Sequence, residues 1–183
     1  MNFNKKNIDY DKIAVMKALK YIEHYPQHIK TQVQELISQK KLDKYLLKNY
    51  PKSHDIKSDK ALYDYTIDLK NSFLKKSLPL SKVVYDGKIN VINDALGLHT
   101  YISRVQGGKL KSKNEIRVAS MFKNCPEEFL QMIVVHELSH IKEKNHDKAF
   151  YKLCTYMEPK YHQYELDLRI YLTYVDKFGK LYF

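Results

Sequence analysis

This chain of 183 residues, 44% of them apolar, is long enough to bury one sizeable core and too short to suggest two independent domains. Its longest aliphatic run is only Met-Ile-Val-Val, which argues against a membrane-spanning or signal-peptide segment and predicts a cytoplasmic protein with no membrane partner. The net charge is +11, but 29 of the 32 basic residues are Lys interspersed with acidic residues, so a nucleic-acid partner stays open without being favoured.

The first part of the chain, to about residue 77, carries apolar residues at helical spacing. The faces are Val15, Ala18, Leu19 and Ile22, then Ile29, Val33, Leu36 and Ile37, then Leu62, Tyr65, Leu69 and Phe73. Pro26 and Pro51 interrupt this periodicity, and Ser58 is suited to cap the helix that follows it. The pattern predicts an N-terminal helical region over residues 1–79.

Between Leu80 and Phe122 the period changes from helical to strand-like. The stretch KVVYDGKINVI contains Asp86-Gly87, a dipeptide that favours the tight turn of a hairpin. Farther on, GLHTYISRV and EIRVASMF flank the glycine-containing polar stretch QGGKLKSKN, which indicates a second hairpin with a loop at residues 106–114. The pattern predicts a small antiparallel sheet.

The last third of the chain is helical again. Pro126 suits the start of a helix, and the two glutamates after it suit the positive end of the helix dipole. Two more apolar faces follow, Ala149, Phe150, Leu153, Cys154 and Met157, then Tyr164, Leu168, Leu172 and Val175. The only cysteines, Cys125 and Cys154, are expected as reduced thiols. Together these elements predict an α+β fold, in which residues 80–183 and the N-terminal helices form one compact unit.

The stretch VVHELSHIKEKNHDKAFY, residues 134–151, contains His136, Glu137, His140 and His146. On a helix, residues four apart lie about 40° apart around the axis and one turn along it, so the imidazoles of His136 and His140 can reach one ion. Glu137 need not be a ligand, because its carboxylate can take a proton from a zinc-bound water and pass it to a leaving group. A catalytic zinc needs three protein ligands and one open position, so a third donor is expected.

His146 is the favoured third ligand, provided that the helix ends after His140. In a continuous helix His146 would lie about 9 Å farther along the axis and about 240° around it, which is out of reach. The sequence KEKN supplies cationic residues for a helix C-terminus, and Asn145 is suited to a left-handed turn there. Asp147, or His146 itself, can then begin the next helix and return the third imidazole to the metal.

Several other residues are weaker candidates for this site. Glu158 and Glu165 are alternative third ligands. Tyr161, His162 and Tyr164 follow the metal segment and are candidates for stabilising an oxyanion, although packing is the favoured role for a tyrosine in so tyrosine-rich a chain.

The same stretch resembles the zinc site of the YgjP-like metallopeptidase family, relatives of the SprT-like zincins. The resemblance covers residues 80–158 and implies a zincin-like fold, in which a small sheet backs the helix that carries the HExxH motif. It also implies that His136, His140 and His146 bind zinc and that the glutamate of the motif is the general base. Residues 9–78 then look like an extension beyond the minimal family domain.

The resemblance leaves more than one activity open, because each begins from a zinc-bound water. The favoured one is a metallopeptidase acting on polypeptides, with EIRVASM as the sheet edge that holds an extended substrate. The alternative is a nucleotide pyrophosphatase acting on UTP. For that activity the loop cations Lys109, Lys111, Lys113 and Arg117 are candidates to contact phosphate. A DNA-associated SprT-like protease is a further alternative, which the scarcity of arginine disfavours.

Overall fold

The computed structural model describes residues 19–89, 97–106 and 109–183, with residues 97–106 and 109–113 described by their backbone alone. In chain order the elements are α1 (Gln27–Ser38), α2 (Leu42–Asn49), α3 (Asp59–Phe73), β1 (Leu80–Asp86), β2 (Gly97–Gln106), β3 (Lys109–Ala119), α4 (Glu127–Ser139), α5 (Lys148–Met157) and α6 (Tyr161–Phe178). Short 3-10 helices cover Lys20–Ile22 and Ser120–Asn124. The order confirms the α+β prediction, while Val15 and Ala18 of the first predicted helical face lie outside the described residues.

The chain divides into two compact units. Met1–Lys52 and Gln163–Phe183 form the first unit, and Ser53–His162 form the second. The expected boundary at residues 79 and 80 falls inside the second unit, where α3 packs against β1. The three histidines and the glutamate of the HExxH segment all belong to the second unit.

The first unit is built from the apolar faces of α1, α2 and most of α6. Their buried apolar residues are Val33, Ile37, Leu42, Leu46, Leu168, Ile170, Tyr171 and Leu172. Helix α1 begins directly after Pro26, whose fixed φ of −54° suits the entry to a helix. Two residues of each face predicted for α1 and α6 are buried, Val33 and Ile37 in the first and Leu168 and Leu172 in the second, while the other members are half-buried.

In the second unit, α3 begins at the predicted cap. The Ser58 hydroxyl accepts a hydrogen bond from the Ala61 N–H at 3.1 Å, which satisfies one of the free donors at the helix start. The next residue, Asp59, accepts from the Tyr85 N–H at 2.9 Å and so joins the first turn of α3 to β1. One short polar segment thus starts the helix and attaches it to the sheet.

The sheet has three described strands in the order β1-β3-β2. β2 and β3 pair antiparallel, as expected, whereas β1 and β3 pair in parallel. A purely antiparallel sheet was therefore the wrong prediction. The Asp86-Gly87 dipeptide indicates only a local turn of the backbone. It does not indicate which strand pairs with β1. Residues 90–92, the second arm of that predicted hairpin, lie outside the described residues.

The second hairpin is longer than the sequence suggests. Gln106 pairs with Lys109, and the ladder continues without interruption to Gly97 and Val118. Residues 109–114, predicted as part of a polar loop, therefore belong to β3. The prediction fails because a strand ladder is made by backbone groups and does not require apolar side chains at a hairpin tip.

Helix α4, which carries the HExxH motif, contacts β2 and β3 and also packs against α5. Nine of its 13 residues are buried, so its apolar side chains reach well beyond a single face, as expected of a helix between layers. Cys154 of α5 is buried with its Sγ 3.1 Å from the Ser139 Oγ of α4, and both cysteines are free thiols, as predicted. Among the described residues, no helix is long and apolar enough to cross a membrane.

Candidate metal centre

The chain reverses between His140 and His146, as the sequence predicts. Helix α4 ends at Ser139 with His140 as its C-terminal cap, and α5 begins after Asp147. The Asp147 carboxylate accepts hydrogen bonds from the N–H groups of Ala149 at 2.9 Å and Phe150 at 3.1 Å. This cap starts a new helix one residue after His146 and so directs the chain back toward α4.

The left-handed turn expected at Asn145 is wrong. Among the described non-glycine residues, only Lys40 has a positive φ. The reversal is instead made by the turns that follow α4 and by the Asp147 cap, in which the Asp147 N–H donates to the Asn145 carbonyl at 2.9 Å. A strong N-cap can set the direction of a chain without a left-handed residue before it.

The reversal brings His136, His140 and His146 together, and we call them the three-histidine cluster. One ring nitrogen from each residue lies within 4.8 Å of the others. The Nε2 atoms of His136 and His146 face each other at 3.0 Å. Two nitrogens bound to one tetrahedral zinc at about 2.05 Å are separated by about 3.3 Å, so the observed spacing fits a shared cation.

The outer nitrogens of the two helical histidines are already engaged. The Nδ1 of His140 is 3.0 Å from the Glu143 carbonyl, which can only accept, so this nitrogen carries the proton and Nε2 is left as a lone pair. The Nδ1 of His136 lies 2.7 Å from the Tyr161 hydroxyl. Burial lowers the pKa of His140, which favours the neutral ring that a metal requires. This donor set fits a divalent transition metal.

Phe150 packs against the whole cluster. Its ring centroid lies 4.9 Å from that of His136, 4.6 Å from His140 and 4.7 Å from His146, and the side chain is fully buried. It therefore restricts the orientation of all three imidazoles and excludes water from one side. The sequence placed Phe150 only on an apolar helix face. Its position four residues after His146, one helical turn into α5, was the available signal.

Glu137 lies next to His136 in α4 with only 3% of its surface exposed. Burial in this apolar setting raises the pKa of Glu137 to about 8. A carboxyl group with a pKa near neutrality is suited to taking up and releasing a proton during a reaction. The geometry therefore brings a candidate base to the same helix turn as the candidate ligands.

The alternative third ligands are not in the cluster. The Oε1 of Glu158 accepts from the Lys160 N–H at 2.8 Å, and Glu165 pairs with Arg169 at 3.1 Å. Neither belongs to the group of described histidine, cysteine and acidic residues that could hold a metal together. Of the oxyanion candidates, Tyr161 contacts His136, the His162 ring packs on Tyr161, and Tyr164 belongs to the other unit.

Two expectations about substrate contacts are changed by the sheet. The stretch EIRVASM was expected at a sheet edge, but β3 is the central strand, paired on both sides, and cannot accept a peptide there. Arg117 is engaged by Asp86 at 3.0 Å and by Glu115 at 3.7 Å, which reduces its value as a phosphate ligand. The side chains of Lys109, Lys111 and Lys113 lie outside the described part of the chain.

Comparison with known proteins assigns the chain to a family. A family profile described as "YgjP-like, metallopeptidase domain" matches residues 23–171. The chain belongs to the YgjP-like family. It is 58% identical over 158 residues to the UTP pyrophosphatase of Escherichia coli strain K12, a match that covers 86% of this chain and 95% of that protein. No solved structure matches the chain significantly.

The extent of the match corrects one expectation. The helices before residue 80 were expected to extend a minimal family domain, but the family profile begins at residue 23. These helices are therefore part of what the family shares. Helical periodicity alone could not reveal this, because it reports on local structure and not on which segments relatives have in common.

Proposed function

We propose that this protein is a zinc-dependent nucleoside triphosphate pyrophosphatase with UTP as its leading substrate. In this proposal His136, His140 and His146 hold the metal and Glu137 is the general base. The observation that carries it is the 58% identity to a UTP pyrophosphatase over 86% of the chain, found together with a three-histidine cluster beside a buried carboxyl group. This reverses the preference of the sequence, which favoured a peptidase.

The choice of zinc follows from the donor set. Three imidazole nitrogens and no thiolate or additional carboxylate make up the described cluster, which suits zinc with an open position. When bound, the metal supplies a Lewis acid that acidifies water and polarises a phosphoryl oxygen. The outer hydrogen bonds of His136 and His140 and the packing of Phe150 keep the ligand nitrogens in place.

The Glu137 carboxylate has a defined task in this reaction. It takes a proton from water as the water oxygen forms its bond to the α-phosphorus of UTP. The bond from the α-phosphorus to the bridging oxygen breaks, and its electron pair leaves with pyrophosphate. Glu137 then releases the proton to that leaving group or to solvent. The products are UMP and pyrophosphate, and no oxidant or further reactant is needed.

The charge of the protein also supports an anionic substrate. The net charge is +11, and the segment around His146 contains three exposed lysines, Lys142, Lys144 and Lys148. These cations lie within four residues of a candidate ligand in the sequence. A triphosphate is attracted by such a field more strongly than a neutral peptide is.

A second candidate function is peptide hydrolysis at the same site. It is favoured by the HExxH spacing itself and by the metallopeptidase description of the family. Glu137 would then assist the attack of water on a carbonyl carbon instead of phosphorus. Since β3 is central, an extended peptide would have to use the outer edge of β1 or β2 among the described strands.

The test is a direct comparison of substrates on one preparation. Metal content is measured, and the zinc-loaded protein is then given UTP, the other nucleoside triphosphates and an unstructured polypeptide in parallel. We expect about one zinc per chain and release of pyrophosphate from UTP. Cleavage of the polypeptide with no release of pyrophosphate would establish the second candidate instead.

The role of Glu137 is tested by Glu137→Gln, with Glu158→Gln as a matched control. Both glutamates are buried in the same unit, at 3% and 8% exposure, but Glu158 is not in the cluster. Glu137→Gln should retain zinc and lose roughly 100-fold or more in turnover, because the amide cannot accept the proton. Glu158→Gln should keep its turnover. Full turnover in Glu137→Gln would refute the assignment of the base.

A further inference from the structure

Tyr161 is the first residue of α6 and lies behind the three-histidine cluster. Its side chain is 1% exposed, and its hydroxyl is 2.7 Å from the Nδ1 of His136. The two rings are nearly parallel, with an interplanar angle of 16° and centroids 6.4 Å apart. A buried tyrosine hydroxyl normally needs a hydrogen-bond partner, and here the partner is an imidazole of the candidate metal centre.

The Tyr161 hydroxyl lies on the side of the His136 ring away from the candidate metal position, where a substrate would bind. In an imidazole ring the lone-pair directions of Nδ1 and Nε2 diverge widely, so a group bonded to Nδ1 lies on the far side of the ring from a metal on Nε2. In His136 it is Nε2 that faces His146. Tyr161 is therefore not placed to stabilise an oxyanion at the metal, because its hydroxyl bonds the outer nitrogen of His136.

The partner of the His140 Nδ1 can be compared with the partner of the His136 Nδ1. The Nδ1 of His140 meets a backbone carbonyl, which has no proton to give, so the tautomer with an unprotonated Nε2 is imposed. The Nδ1 of His136 meets a hydroxyl, which can either accept or donate. The tautomer of His136 thus depends on the direction of one hydrogen bond.

We propose that Tyr161 is a positioning residue that accepts the Nδ1 proton of His136, so that this ring presents an unprotonated Nε2 to the metal. The inference rests on the proposed metal site. It assigns Tyr161 the part that a carboxylate or carbonyl plays behind many metal-binding histidines. A hydroxyl is a weaker acceptor than a carboxylate, so it orients the ring without adding negative charge to the site.

Tyr161→Phe tests the proposal, because it removes the oxygen and keeps the ring that packs against Tyr151 and His162. Tyr85→Phe is the matched control, since Tyr85 is 8% exposed, belongs to the same unit and donates its hydroxyl to the Ile56 carbonyl at 2.6 Å. Zinc affinity is measured by competition with a chromogenic chelator. Tyr161→Phe should bind zinc roughly 10- to 100-fold more weakly, and Tyr85→Phe should bind as the wild type does.

Kinetics at saturating zinc give a second measurement. Because Tyr161 does not contact substrate, its loss should lower kcat for UTP and leave KM nearly unchanged. A purely structural role would instead lower the unfolding free energy of both tyrosine variants equally and leave zinc affinity unaltered in both. That result would overturn the proposal.

The third measurement needs no variant. Long-range 1H–15N correlation spectra of the metal-free wild-type protein distinguish the two tautomers of His136. We expect a protonated Nδ1 and an unprotonated Nε2. The opposite tautomer would overturn the proposal even if Tyr161→Phe fails to fold. If the wild-type protein bound no zinc, the proposed function would fail, while the tautomer would still be read from the spectrum.

Discussion

The two units each contain a cluster of polar side chains, centred on the buried Asp167 in the first and on the three half-buried to exposed histidines in the second, and the clusters are organised in opposite ways. In the first unit, the Asp167 carboxylate accepts from the Tyr45 hydroxyl at 2.7 Å, the Tyr50 hydroxyl at 2.6 Å and the Gln163 amide at 2.9 Å. Every contact there joins a donor to an acceptor, and the cluster is complete without a ligand. In the three-histidine cluster of the second unit, ring nitrogens face one another and the outer nitrogens of the two helical residues bond away from the centre.

This difference distinguishes a structural cluster from a candidate binding site. A buried acceptor that is surrounded by donors contributes stability and resists exchange with any ligand. Two nitrogens of the same kind at 3.0 Å gain more from a shared cation than from each other. The direction of the hydrogen bonds around a polar cluster therefore helps to indicate its role.

Among the variants that test the difference between the two clusters, His140→Ala should have the largest effect, which is loss of the metal. Removing one of three ligands should leave a protein that no longer retains zinc after dialysis and that has no measurable hydrolase turnover. The control is His162→Ala, an exposed histidine of the same unit that lies outside the cluster. Zinc retained by His140→Ala at the wild-type ratio would show that the cluster is not the metal site.

Phe150→Ala should reduce both stability and metal affinity. Truncating a fully buried phenylalanine side chain to alanine should lower the unfolding free energy by about 3–5 kcal/mol. Urea denaturation of the metal-free protein measures this loss. Phe122→Ala removes the same volume from the same unit and is the control. Both variants should lose similar stability, but only Phe150→Ala should weaken zinc binding, because Phe150 packs on all three imidazoles. Equal zinc affinities would contradict this role.

Asp167→Asn should affect stability alone. The amide replaces one acceptor oxygen with a donor that faces a tyrosine hydroxyl, which costs about 1–3 kcal/mol of unfolding free energy. Zinc content and affinity should equal those of the wild-type protein. A weakened metal site in this variant would mean that the two clusters are coupled.

Asp147→Ala should lower the unfolding free energy by about 1 kcal/mol, the usual cost of losing an N-cap. Ser58→Ala removes the cap of α3 and should cost a similar amount. Only Asp147→Ala should also weaken zinc binding, because this cap follows His146 directly and sets its place in the cluster. Calorimetry of the metal-free proteins and chelator competition together separate the two effects.

The smallest effect concerns pH and His54, a histidine outside the three-histidine cluster. Burial lowers the pKa of His54 below its ordinary value of 6.5, and its Nε2 and Nδ1 are both engaged, with the Phe122 carbonyl and the Ile56 N–H. As pH falls below about 6.5, His54 takes up a proton in the unfolded chain but resists it in the folded protein. The contribution of His54 to the unfolding free energy is therefore full above that pH and is lost as pH falls toward the lowered pKa.

The measurement is the unfolding free energy of the wild type and of His54→Gln at pH 7.5 and at pH 5, both in the presence of a chelator. The wild type should lose more stability on acidification than the variant does. Equal losses would show that His54 does not contribute to the pH dependence. Using the difference between the two proteins removes the contribution of the other histidines, which both share.

Much of this molecule was predictable from local sequence signals. Ser58 was expected at one helix start and Asp147 or His146 at another, and Ser58 and Asp147 are the caps found, since an N-cap depends only on a side chain and the N–H groups two or three residues later. The spacing of His136 and His140 was sufficient to place both rings on one side of α4. The sequence also predicted that His146 would return to them once the helix ended.

Other features were decided only by the tertiary structure. The central position of β3 depends on which strands lie side by side, and the turn signals at residues 86 and 87 do not contain that information. The contact of Tyr161 with His136 joins residues 25 positions apart, in a chain with 16 tyrosines that look alike in sequence. Helical periodicity and capping act within a few residues, whereas the partner of a ring nitrogen or a strand edge is chosen by packing across the whole unit.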